Sequence, residues 1–465
     1  MFFTKKKFLP LSLSNTLSNN VESFAPQHPP TVTLYSCGPT VYGPQHIGNL
    51  RSAVFSDLLA RALAYAGYRV KRVINITDVG HLVGDGDEGE DKMVVGARRE
   101  NISPMEVAKR YTDQYLRDIR ALNVDTRLIR FPRATDYIQD QIRMIQTLEK
   151  RGHTYTLPDG VYFDVSTFPS YGKLGGRDKA ELLAGARVDV VAGKKHPQDF
   201  VLWRKAKPQD LQQWKSPWGM GNPGWSIECS AMIRALLGET IDIHTGGEDH
   251  ISVHHNNEIA QSEGSSGKPL ARIWMHNAFL TINGEKISKS LGNIFTLEDI
   301  MKRNIHPLAL RYLFLQAHYR SPLSFTWESL EGAHEALIKL WLSSYDLIKK
   351  HPRAKASDAE HAFVSSVLND LKTPQALGTL WEHMGRLPSE EAFSLLQSAD
   401  QLFGLSLLAP PIGVRTEDKK MAQEREEARS RKDFTRSDEI RIHMENRGYR
   451  VYDRANETIY IDTTR

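Results

Sequence analysis

The chain has 465 residues, which is too long for one ordinary hydrophobic core and predicts two to four domains. About 40% of its residues are apolar and 25% are charged, a balance typical of soluble globular proteins. The net charge of +4, from 60 basic and 56 acidic residues, excludes a simple polycationic coat for nucleic acid, although a local basic face could still bind one. No apolar run is long enough to cross a bilayer, so we expect no membrane segment.

The first thirty residues and the two cysteines give little information on their own. Lysines followed by a short apolar run loosely mimic a signal peptide, but a Ser/Asn stretch interrupts the run, so we expect a frayed terminus with a structural role only. The two cysteines are Cys37 and Cys229, and a structural disulfide between them is not expected in a cytosolic chain. Without further context, both are interpreted as small buried side chains.

A strand, a helix and a second strand are predicted near the start of the chain. Thr31–Ser36 alternates and is β-branched, and residues 70–77 form another apolar run. Between them, apolar residues recur at helical spacing over residues 48–66 and stop before Gly67. Such a βαβ unit predicts a parallel α/β sheet with active residues at the carboxyl ends of its strands.

The remaining chain is predicted to form further helices, an insertion and a helical end. Helical patterns cover residues 104–122, 137–150 and 307–407, and a charged helical stretch covers 419–447 before short terminal strands. Residues 152–223 are rich in Gly and Pro, which indicates an inserted irregular subdomain, and residues 241–297 are predicted to be short strands and turns.

Two glycine-rich segments, residues 84–89 and 219–224, fit the dinucleotide pattern GxGxxG. The first contains three acidic residues, which would repel a pyrophosphate, and the second contains Pro223, which has no backbone donor. Neither has the required strand, turn and helix around it. We interpret both as ordinary glycine-rich loops.

Residues 46–49 have the sequence HIGN and open the first predicted helix. A helix N-terminus offers free amides and a positive dipole to a phosphate. Gly48 permits close approach of a nucleotide to the backbone, and His46 can donate a hydrogen bond to charge that develops on an α-phosphate. Taken alone, the tetrapeptide is a weak signal, and a solvated loop histidine is the better interpretation.

Residues 286–290 have the sequence KISKS and lie between Gly284 and Gly292. Lys286 and Lys289 on such a loop could close on a triphosphate and neutralise a leaving pyrophosphate. For this segment in isolation, an exposed basic turn is the preferred interpretation.

His254 and Glu258 are four residues apart, so on a helix they share one face. With Cys37 and Cys229 they would supply two thiolates, an imidazole and a carboxylate, a set that suits tetrahedral Zn²⁺. The spacing is not that of a zinc finger, and the His/Glu pair alone is more often a solvated helix face.

In this order, residues 46–49 and 286–290 resemble the signature pair of class I aminoacyl-tRNA synthetases. The resemblance is closest to the cysteinyl-tRNA synthetases, through the segments at 37–46, 225–232 and 254–262. It extends over nearly the whole chain, through residues 199–203, 274–277, 284–293 and 318–323.

The resemblance implies an α/β protein whose Rossmann-like parallel-sheet catalytic domain covers residues 31–306, with an inserted subdomain at about residues 123–223. It also implies an N-terminal extension at 1–30, an α-helical bundle that binds tRNA at 307–409, and a small anticodon-binding domain at 410–465. The family activity is ATP-dependent ligation of L-cysteine to tRNA(Cys), through cysteinyl-adenylate, in the cytoplasm. A monomer is expected.

The resemblance also assigns roles to individual residues. Those expected to act in catalysis or to bind ATP are His46, Gly48, Asn49, Lys286 and Lys289. Those expected to bind the substrate are Thr77 and Trp225, and the expected ligands of one zinc ion are Cys37, Cys229, His254 and Glu258. Mg²⁺ is expected to accompany ATP. Because serine differs from cysteine by one atom, we expect selection to occur at the metal, without an editing domain.

Three positions and two segments depart from the family pattern, and the segments are residues 78–81 and 245–253. Asn49 replaces a histidine of the general class motif, Ile287 replaces a methionine, and Ser226 replaces a histidine expected near the substrate. None of these changes removes a predicted metal ligand or a lysine.

Two other functions remain as alternatives. A cysteine ligase of mycothiol-type biosynthesis resembles the catalytic half but lacks a tRNA-binding end, whereas residues 369–376 and 429–452 resemble the bundle and anticodon segments of the synthetases. A non-catalytic zinc-stabilised adaptor would need neither His46 nor the lysine loop. A zinc alcohol dehydrogenase would need a dinucleotide loop, and both glycine-rich segments fail as one.

Overall fold

The computed structural model describes residues 8–79, 92–175, 193–207, 210–287, 292–455 and 457–464. Lys289 and the glycine-rich segment at 84–89 lie outside these ranges. No described helix is both long and apolar enough to cross a membrane.

Strands and helices alternate in the first half of the described chain. In order they are β1 (Ser12–Asn15), β2 (Asn20–Ser23), β3 (Thr31–Ser36), α1 (Ile47–Tyr65), β4 (Arg69–Ile74), α2 (Lys92–Glu100), α3 (Pro104–Ala121), β5 (Ile129–Arg130), α4 (Ile138–Lys150), β6 (Thr154–Leu157), β7 (Gly160–Phe163), β8 (Phe200–Lys205), β9 (Trp214–Ser216) and β10 (Gly219–Pro223).

Helices predominate in the second half. In order the elements are α5 (Trp225–Leu236), β11 (Ile241–Gly247), α6 (His254–Ser266), β12 (Ala271–Asn277), β13 (Leu280–Ile282), β14 (Glu285–Lys286), α7 (Leu297–Met301), α8 (Pro307–Leu315), β15 (Leu323–Phe325), α9 (Trp327–Ile348), α10 (Asp358–Leu368), α11 (Thr373–His383), α12 (Ser389–Phe403), α13 (Lys419–Ser430), α14 (Phe434–Asn446), β16 (Tyr449–Asp453) and β17 (Thr458–Asp462).

A parallel sheet with the strand order β12-β11-β3-β4-β5 forms the Rossmann-like centre of the protein. The predicted βαβ unit is confirmed as β3, α1 and β4, and buried apolar side chains such as Leu34, Leu59 and Ile74 form the core beside it. The order reverses between β3 and β11, which are neighbours in the sheet but far apart in the chain. A crevice therefore opens beyond the carboxyl ends of these two strands, where ligands bind in this type of sheet.

The inserted segment is more regular than the sequence predicts. Its strands form an antiparallel sheet in the order β6-β7-β8-β10-β9. The interpretation of residues 219–224 as a loop is wrong, because Gly219–Pro223 forms β10 between β8 and β9. A Cβ on Gly221 would lie 2.4 Å from Trp203 Nε1, so the glycine lets the indole pack against the strand. The antiparallel pairing also excludes a dinucleotide-binding βαβ unit here.

The expected frayed N-terminus is also wrong for residues 12–23, which form an antiparallel hairpin of β1 and β2. The Leu13 side chain is completely buried. The Ser14 amide donates to Asp370 Oδ1 at 2.8 Å, and the Thr16 amide donates to the Trp274 carbonyl oxygen at 2.8 Å. The hairpin thus attaches both to the parallel sheet and to the turn between α10 and α11.

Two further segments differ from their predicted pattern. Residues 241–297 contain α6 in addition to the expected strands and turns. The charged stretch at 419–447 forms two helices, α13 and α14, because the chain turns at Lys432, whose φ of 60° is incompatible with a continuous right-handed helix. The predicted terminal strands are present as β16 and β17.

A buried charged cluster joins α1 to the helical region. Asp57 Oδ2 lies 2.7 Å from Arg61 Nε and 2.7 Å from an Arg311 guanidinium nitrogen. Arg72 approaches Asp57 Oδ1 at 3.3 Å, and Arg311 also donates to the Phe403 carbonyl oxygen at 2.6 Å. Burial disfavours the charge of Asp57, but Arg311, Arg61 and Arg72 outweigh it and hold the pKa of this carboxyl far below its usual value.

Candidate active site and metal centre

Cys37 lies directly after β3, at the crevice edge of the sheet. Its amide donates to the Thr245 carbonyl oxygen of β11 at 3.0 Å, which fixes the cysteine between the two central strands. The next residue, Gly38, donates its amide to Asn75 Oδ1 at 2.8 Å. A Cβ on Gly38 would lie 1.8 Å from the Asn75 carbonyl oxygen, so only glycine allows this close packing beside Cys37.

Replacement of Gly38 by alanine is expected to lower the free energy of unfolding by about 1–3 kcal/mol, the usual cost of overpacking a rigid site. Urea unfolding monitored by circular dichroism measures this effect. Gly332→Ala is the matched control, because Gly332 lies on α9 with no atom within 4 Å of the added Cβ. This control should gain up to about 1 kcal/mol from helix propensity. Equal effects of the two substitutions would contradict the steric explanation.

Cys37 is part of a cluster that could hold a metal ion. One ligand atom from each of Cys37, His254, His255 and Glu258 lies within 4.8 Å of the others. His254 Nε2 is 2.9 Å from Glu258 Oε1, and Cys37 Sγ is 3.3 Å from His255 Nε2 and 3.8 Å from Glu258 Oε1. The first turn of α6 places His254 and Glu258 on one face, as their spacing predicts.

Cys229, on α5, reaches the same cluster. Hydrogen bonding to Cys37, opposed by burial and by the charge of Glu258, lowers the pKa of the Cys229 thiol to about 6, and His254 acts in the same direction. Burial is the main cause that raises the pKa of Cys37 well above its usual value. Cys229 thus interacts with Cys37 and His254, but the four residues whose ligand atoms lie within 4.8 Å of one another include His255 and not Cys229.

The electrostatics of Glu258 and His254 also fit a metal site. Burial alone would lower the pKa of His254, but the charge of Glu258 and hydrogen bonds to Cys229 and Glu258 raise it to about 10. His244 and His254 together outweigh burial and hold the pKa of Glu258 well below its usual value. Glu258 Oε2 lies 2.6 Å from His244 Nε2. The donor set of thiol, imidazole and carboxylate fits Zn²⁺.

Further histidines surround the cluster, and the sequence pattern did not predict them as site residues. The His244 ring stacks on Trp274 with centroids 4.5 Å apart. His255 Nδ1 lies 2.8 Å from His276 Nε2, and burial holds the pKa of both rings well below the usual value. The paired histidines at 254 and 255 were the available signal for a second imidazole at this site.

Of the two residues predicted to bind the substrate, Trp225 contacts the cluster. The Trp225 ring, at the start of α5, stacks on His254 with centroids 4.2 Å apart. Thr77 follows β4, is buried, and its Oγ1 accepts a hydrogen bond from Asn75 Nδ2 at 3.0 Å. Ser226 Oγ lies 3.1 Å from His254 Nδ1, so the serine contacts a predicted metal ligand.

The HIGN segment begins α1 with a reciprocal cap. His46 Nδ1 accepts from the Asn49 amide at 3.3 Å, and Asn49 Oδ1 accepts from the His46 amide at 3.3 Å. Asn49 therefore replaces the expected histidine with a side chain that caps the helix. Burial lowers the pKa of His46 to about 4, against a weaker opposing effect of Asp249.

The lowered pKa of His46 predicts acid sensitivity. Because the unfolded chain binds this proton near pH 6.5, the stabilisation is present above that value and is lost as pH falls toward 4. Relative to His46→Asn, which keeps an N-cap residue, the wild type should lose up to about 1.4 kcal/mol of unfolding free energy per pH unit in this window. Urea unfolding of both proteins between pH 4 and pH 7 provides the measurement. A difference that is independent of pH would contradict the assignment.

The second signature segment packs over the first. Ile287 lies against Gly48, since a Cβ on Gly48 would be 3.0 Å from Ile287 Cδ1. The Ile47 amide donates to the Phe295 carbonyl oxygen at 2.9 Å. Lys286 ends β14 with its Nζ 5.9 Å from the Phe279 ring centroid. The structure thus brings Ile287 of the second segment against the first segment, and Lys289 lies outside the described residues.

Comparisons with known proteins agree with this architecture. Residues 23–335 match the family model of the class I (C) tRNA synthetase catalytic domain. The chain is 46% identical to cysteine-tRNA ligase 1 of Burkholderia lata, over 96% of this chain and 95% of that protein. The chain belongs to the cysteine-tRNA ligase family of class I tRNA synthetases. A second member of the family, from Treponema denticola, is 40% identical over 97% of this chain and 99% of its own length.

A solved structure extends the likeness in fold to a more distant member of the class. Mycobacterium tuberculosis methionyl-tRNA synthetase in complex with methionyl-adenylate superposes on this cysteine-tRNA ligase family member with a TM-score of 0.54. The superposition covers 81% of this chain and 90% of the other, at 16% sequence identity. The Rossmann-like fold is thus shared although most side chains differ.

Proposed function

We propose that the chain ligates L-cysteine to tRNA(Cys) in two steps, with ATP as the energy source and a zinc ion that selects the thiol. The observation that carries the proposal is the Cys37, His254 and Glu258 cluster, which lies at the carboxyl end of β3, the strand that leads into the HIGN segment at the start of α1. An adaptor that only binds zinc would not need that combination.

In the first step, a carboxylate oxygen of cysteine attacks the α-phosphorus of ATP. A bond forms between this oxygen and the α-phosphorus. The bond from the α-phosphorus to the oxygen shared with the β-phosphorus breaks, and pyrophosphate leaves. The Gly48 amide at the N-terminus of α1 supplies a donor for the phosphates, and His46, whose Nδ1 accepts within the cap, donates a hydrogen bond from Nε2 to the α-phosphate. The Asn49 side chain keeps this helix start in place.

The developing charge on pyrophosphate requires cations. Lys286 and Lys289 of the KISKS segment neutralise the leaving group, and Mg²⁺ bound to ATP would add positive charge to the phosphates. In the second step, a hydroxyl of the terminal ribose attacks the carbonyl carbon of the adenylate. The acyl group passes to tRNA and AMP leaves. No covalent bond to the protein is needed in either step.

Selection of cysteine rests on Cys37, Cys229, His254 and Glu258 as ligands of Zn²⁺. The metal supplies a Lewis acid that lowers the pKa of a bound thiol and prefers thiolate to a neutral hydroxyl, so serine is rejected without editing. Trp225 and Thr77 are the substrate-binding residues of this proposal, and Trp225 lies next to the cluster. The stacking of Trp225 on His254 supports that role.

The helical region and the C-terminal pair α13 and α14 bind tRNA. The turn between these two helices carries Arg431 and Lys432, both exposed, and the Phe434 side chain beside them is 61% exposed. Cationic groups next to an exposed aromatic ring suit unpaired nucleotides. We further propose a monomer that acts in the cytoplasm.

The test is cysteine-dependent exchange of pyrophosphate into ATP with zinc present, followed by addition of tRNA. Exchange with cysteine but not serine, and then formation of cysteinyl-tRNA, is the expected result. Exchange without charging of tRNA would instead support a small-molecule cysteine ligase. Failure of zinc-loaded protein to catalyse exchange would support a non-catalytic adaptor.

A further inference from the structure

A chain of polar contacts connects the N-terminal hairpin to the sulfur of Cys37. Thr16 Oγ1, just after β1, lies 2.8 Å from His276 Nδ1. His276 Nε2 lies 2.8 Å from His255 Nδ1, and His255 Nε2 lies 3.3 Å from Cys37 Sγ. We propose that Thr16 is a positioning residue that sets the ring orientation and tautomer of His276 and, through it, of His255. The inference rests on the proposed role of Cys37 as a metal ligand.

The direction of the hydrogen bonds follows from the sulfur. A thiolate ligand carries no proton, so His255 must direct its Nε2–H at Cys37, and a neutral imidazole then has only an acceptor at Nδ1. His276 must therefore donate from Nε2, which leaves its Nδ1 as an acceptor. The Thr16 hydroxyl is the donor that satisfies this last nitrogen. The relay acts through the placement of protons, and neither ring has to change its charge.

The position of Thr16 is fixed by the backbone around it. Its amide donates to the Trp274 carbonyl oxygen at 2.8 Å, and Asn15 Oδ1 accepts from the Trp274 amide at 3.0 Å. The Asn15 side chain also donates to the Arg272 carbonyl oxygen at 3.1 Å. The hairpin is thus held along β12, the strand that carries His276. Because these contacts fix the backbone around Thr16, its hydroxyl can select one orientation of the His276 ring.

The rings that Thr16 controls have little room to reorient. His255 is completely buried and His276 is 6% exposed. His255 packs against His244, with ring centroids 4.5 Å apart, and against Trp274, with centroids 5.1 Å apart. Without a donor at position 16, His276 Nδ1 would be a buried unsatisfied acceptor. The opposite tautomers would then be favoured, and His255 would present a lone pair to the sulfur.

Hydrogen bonds to metal-bound sulfur change how strongly it donates to the metal, and partners of this kind commonly alter affinity by about 10–100-fold. A His255 N–H directed at Cys37 weakens that donation and leaves the site a better acceptor for a further thiolate. Thr16 is therefore expected to affect binding of cysteine although it touches neither the substrate nor a proposed ligand.

The test uses the full-length chain loaded with Co²⁺, whose absorption bands report cobalt–sulfur bonding. Thr16→Val removes the hydroxyl at nearly constant shape, and Thr16→Ser retains it. Ser14→Ala is the matched control, because Ser14 lies on the same hairpin but its hydroxyl donates to Asp370 Oδ2 at 2.5 Å. Metal affinity from competition with a chelator and the KM and kcat for cysteine in pyrophosphate exchange complete the set.

Thr16→Val is expected to shift the sulfur-to-cobalt band, change metal affinity and raise the KM for cysteine by about 10-fold or more, with a smaller change in kcat. Thr16→Ser and Ser14→Ala should match the wild type in all three. An unshifted band with unchanged KM in Thr16→Val overturns the inference, as does an equal shift in Ser14→Ala. If wild-type protein binds neither Co²⁺ nor Zn²⁺, the proposed metal site itself is wrong.

Discussion

Replacement of His254 by alanine is expected to abolish both zinc binding and cysteine-dependent pyrophosphate exchange. His254 is buried within the cluster. Its Nε2 lies 2.9 Å from Glu258 Oε1, and its ring stacks on Trp225. Its removal takes away one proposed metal ligand and leaves the buried Glu258 carboxylate with His244 as its remaining imidazole partner, at 2.6 Å. Metal content of the purified protein and exchange rates with cysteine and serine measure the result.

The matched control for this substitution is His361→Ala. His361 is an exposed histidine on α10, remote in sequence from every proposed site residue, and its loss should leave metal content and exchange unchanged. Circular dichroism of both variants tests whether the fold is retained. An active His254→Ala protein without bound metal would refute thiol selection by zinc, whereas an active protein with full metal would refute only the role of His254.

The second large effect is expected at Asp57, which no predicted site includes. Asp57→Ala should lower the free energy of unfolding by about 3–5 kcal/mol, because it leaves Arg72 and Arg311 buried without their shared carboxylate. Urea unfolding at pH 7 measures this loss. Asp57→Asn should also destabilise the protein, since an amide keeps the shape but not the charge.

Asp113→Ala is the control for Asp57. Asp113 also lies on a helix and pairs with a basic residue, Lys109, at 2.8 Å, but both side chains are largely exposed. Its replacement should change the free energy of unfolding by no more than about 0.5 kcal/mol. Similar losses of unfolding free energy for the Asp57 and Asp113 variants would show that other groups compensate the charges of the buried arginines.

The sequence predicted the central features of the fold because they depend on local patterns. Alternation over Thr31–Ser36 and the apolar spacing that follows predicted β3 and α1, and the cap at His46 begins the helix where expected. The separation of His254 and Glu258 by one helical turn requires only that the segment be helical. Features that one element encodes by itself could be predicted in this way.

Other features depend on contacts between distant segments. Gly219–Pro223 has almost no strand-forming residues and becomes β10 only because β8 and β9 pair with it. Thr16 and His276 look like ordinary polar residues until the hairpin lies along β12. In the sequence, Asp57 is only one polar position in a largely apolar helix. No pattern within a single element indicates these three relationships.

The order of strands in the parallel sheet has a consequence for how the chain folds as it is synthesised. Thr33 on β3 bonds to Asp242 on β11, 209 residues later, so one edge of β3 has no partner until more than half of the chain exists. Closing so large a separation is slow, and the incomplete sheet exposes an unpaired strand edge in the meantime. Nascent chains that stop before β11 are therefore expected to bind holdase chaperones, and release should follow synthesis of β12.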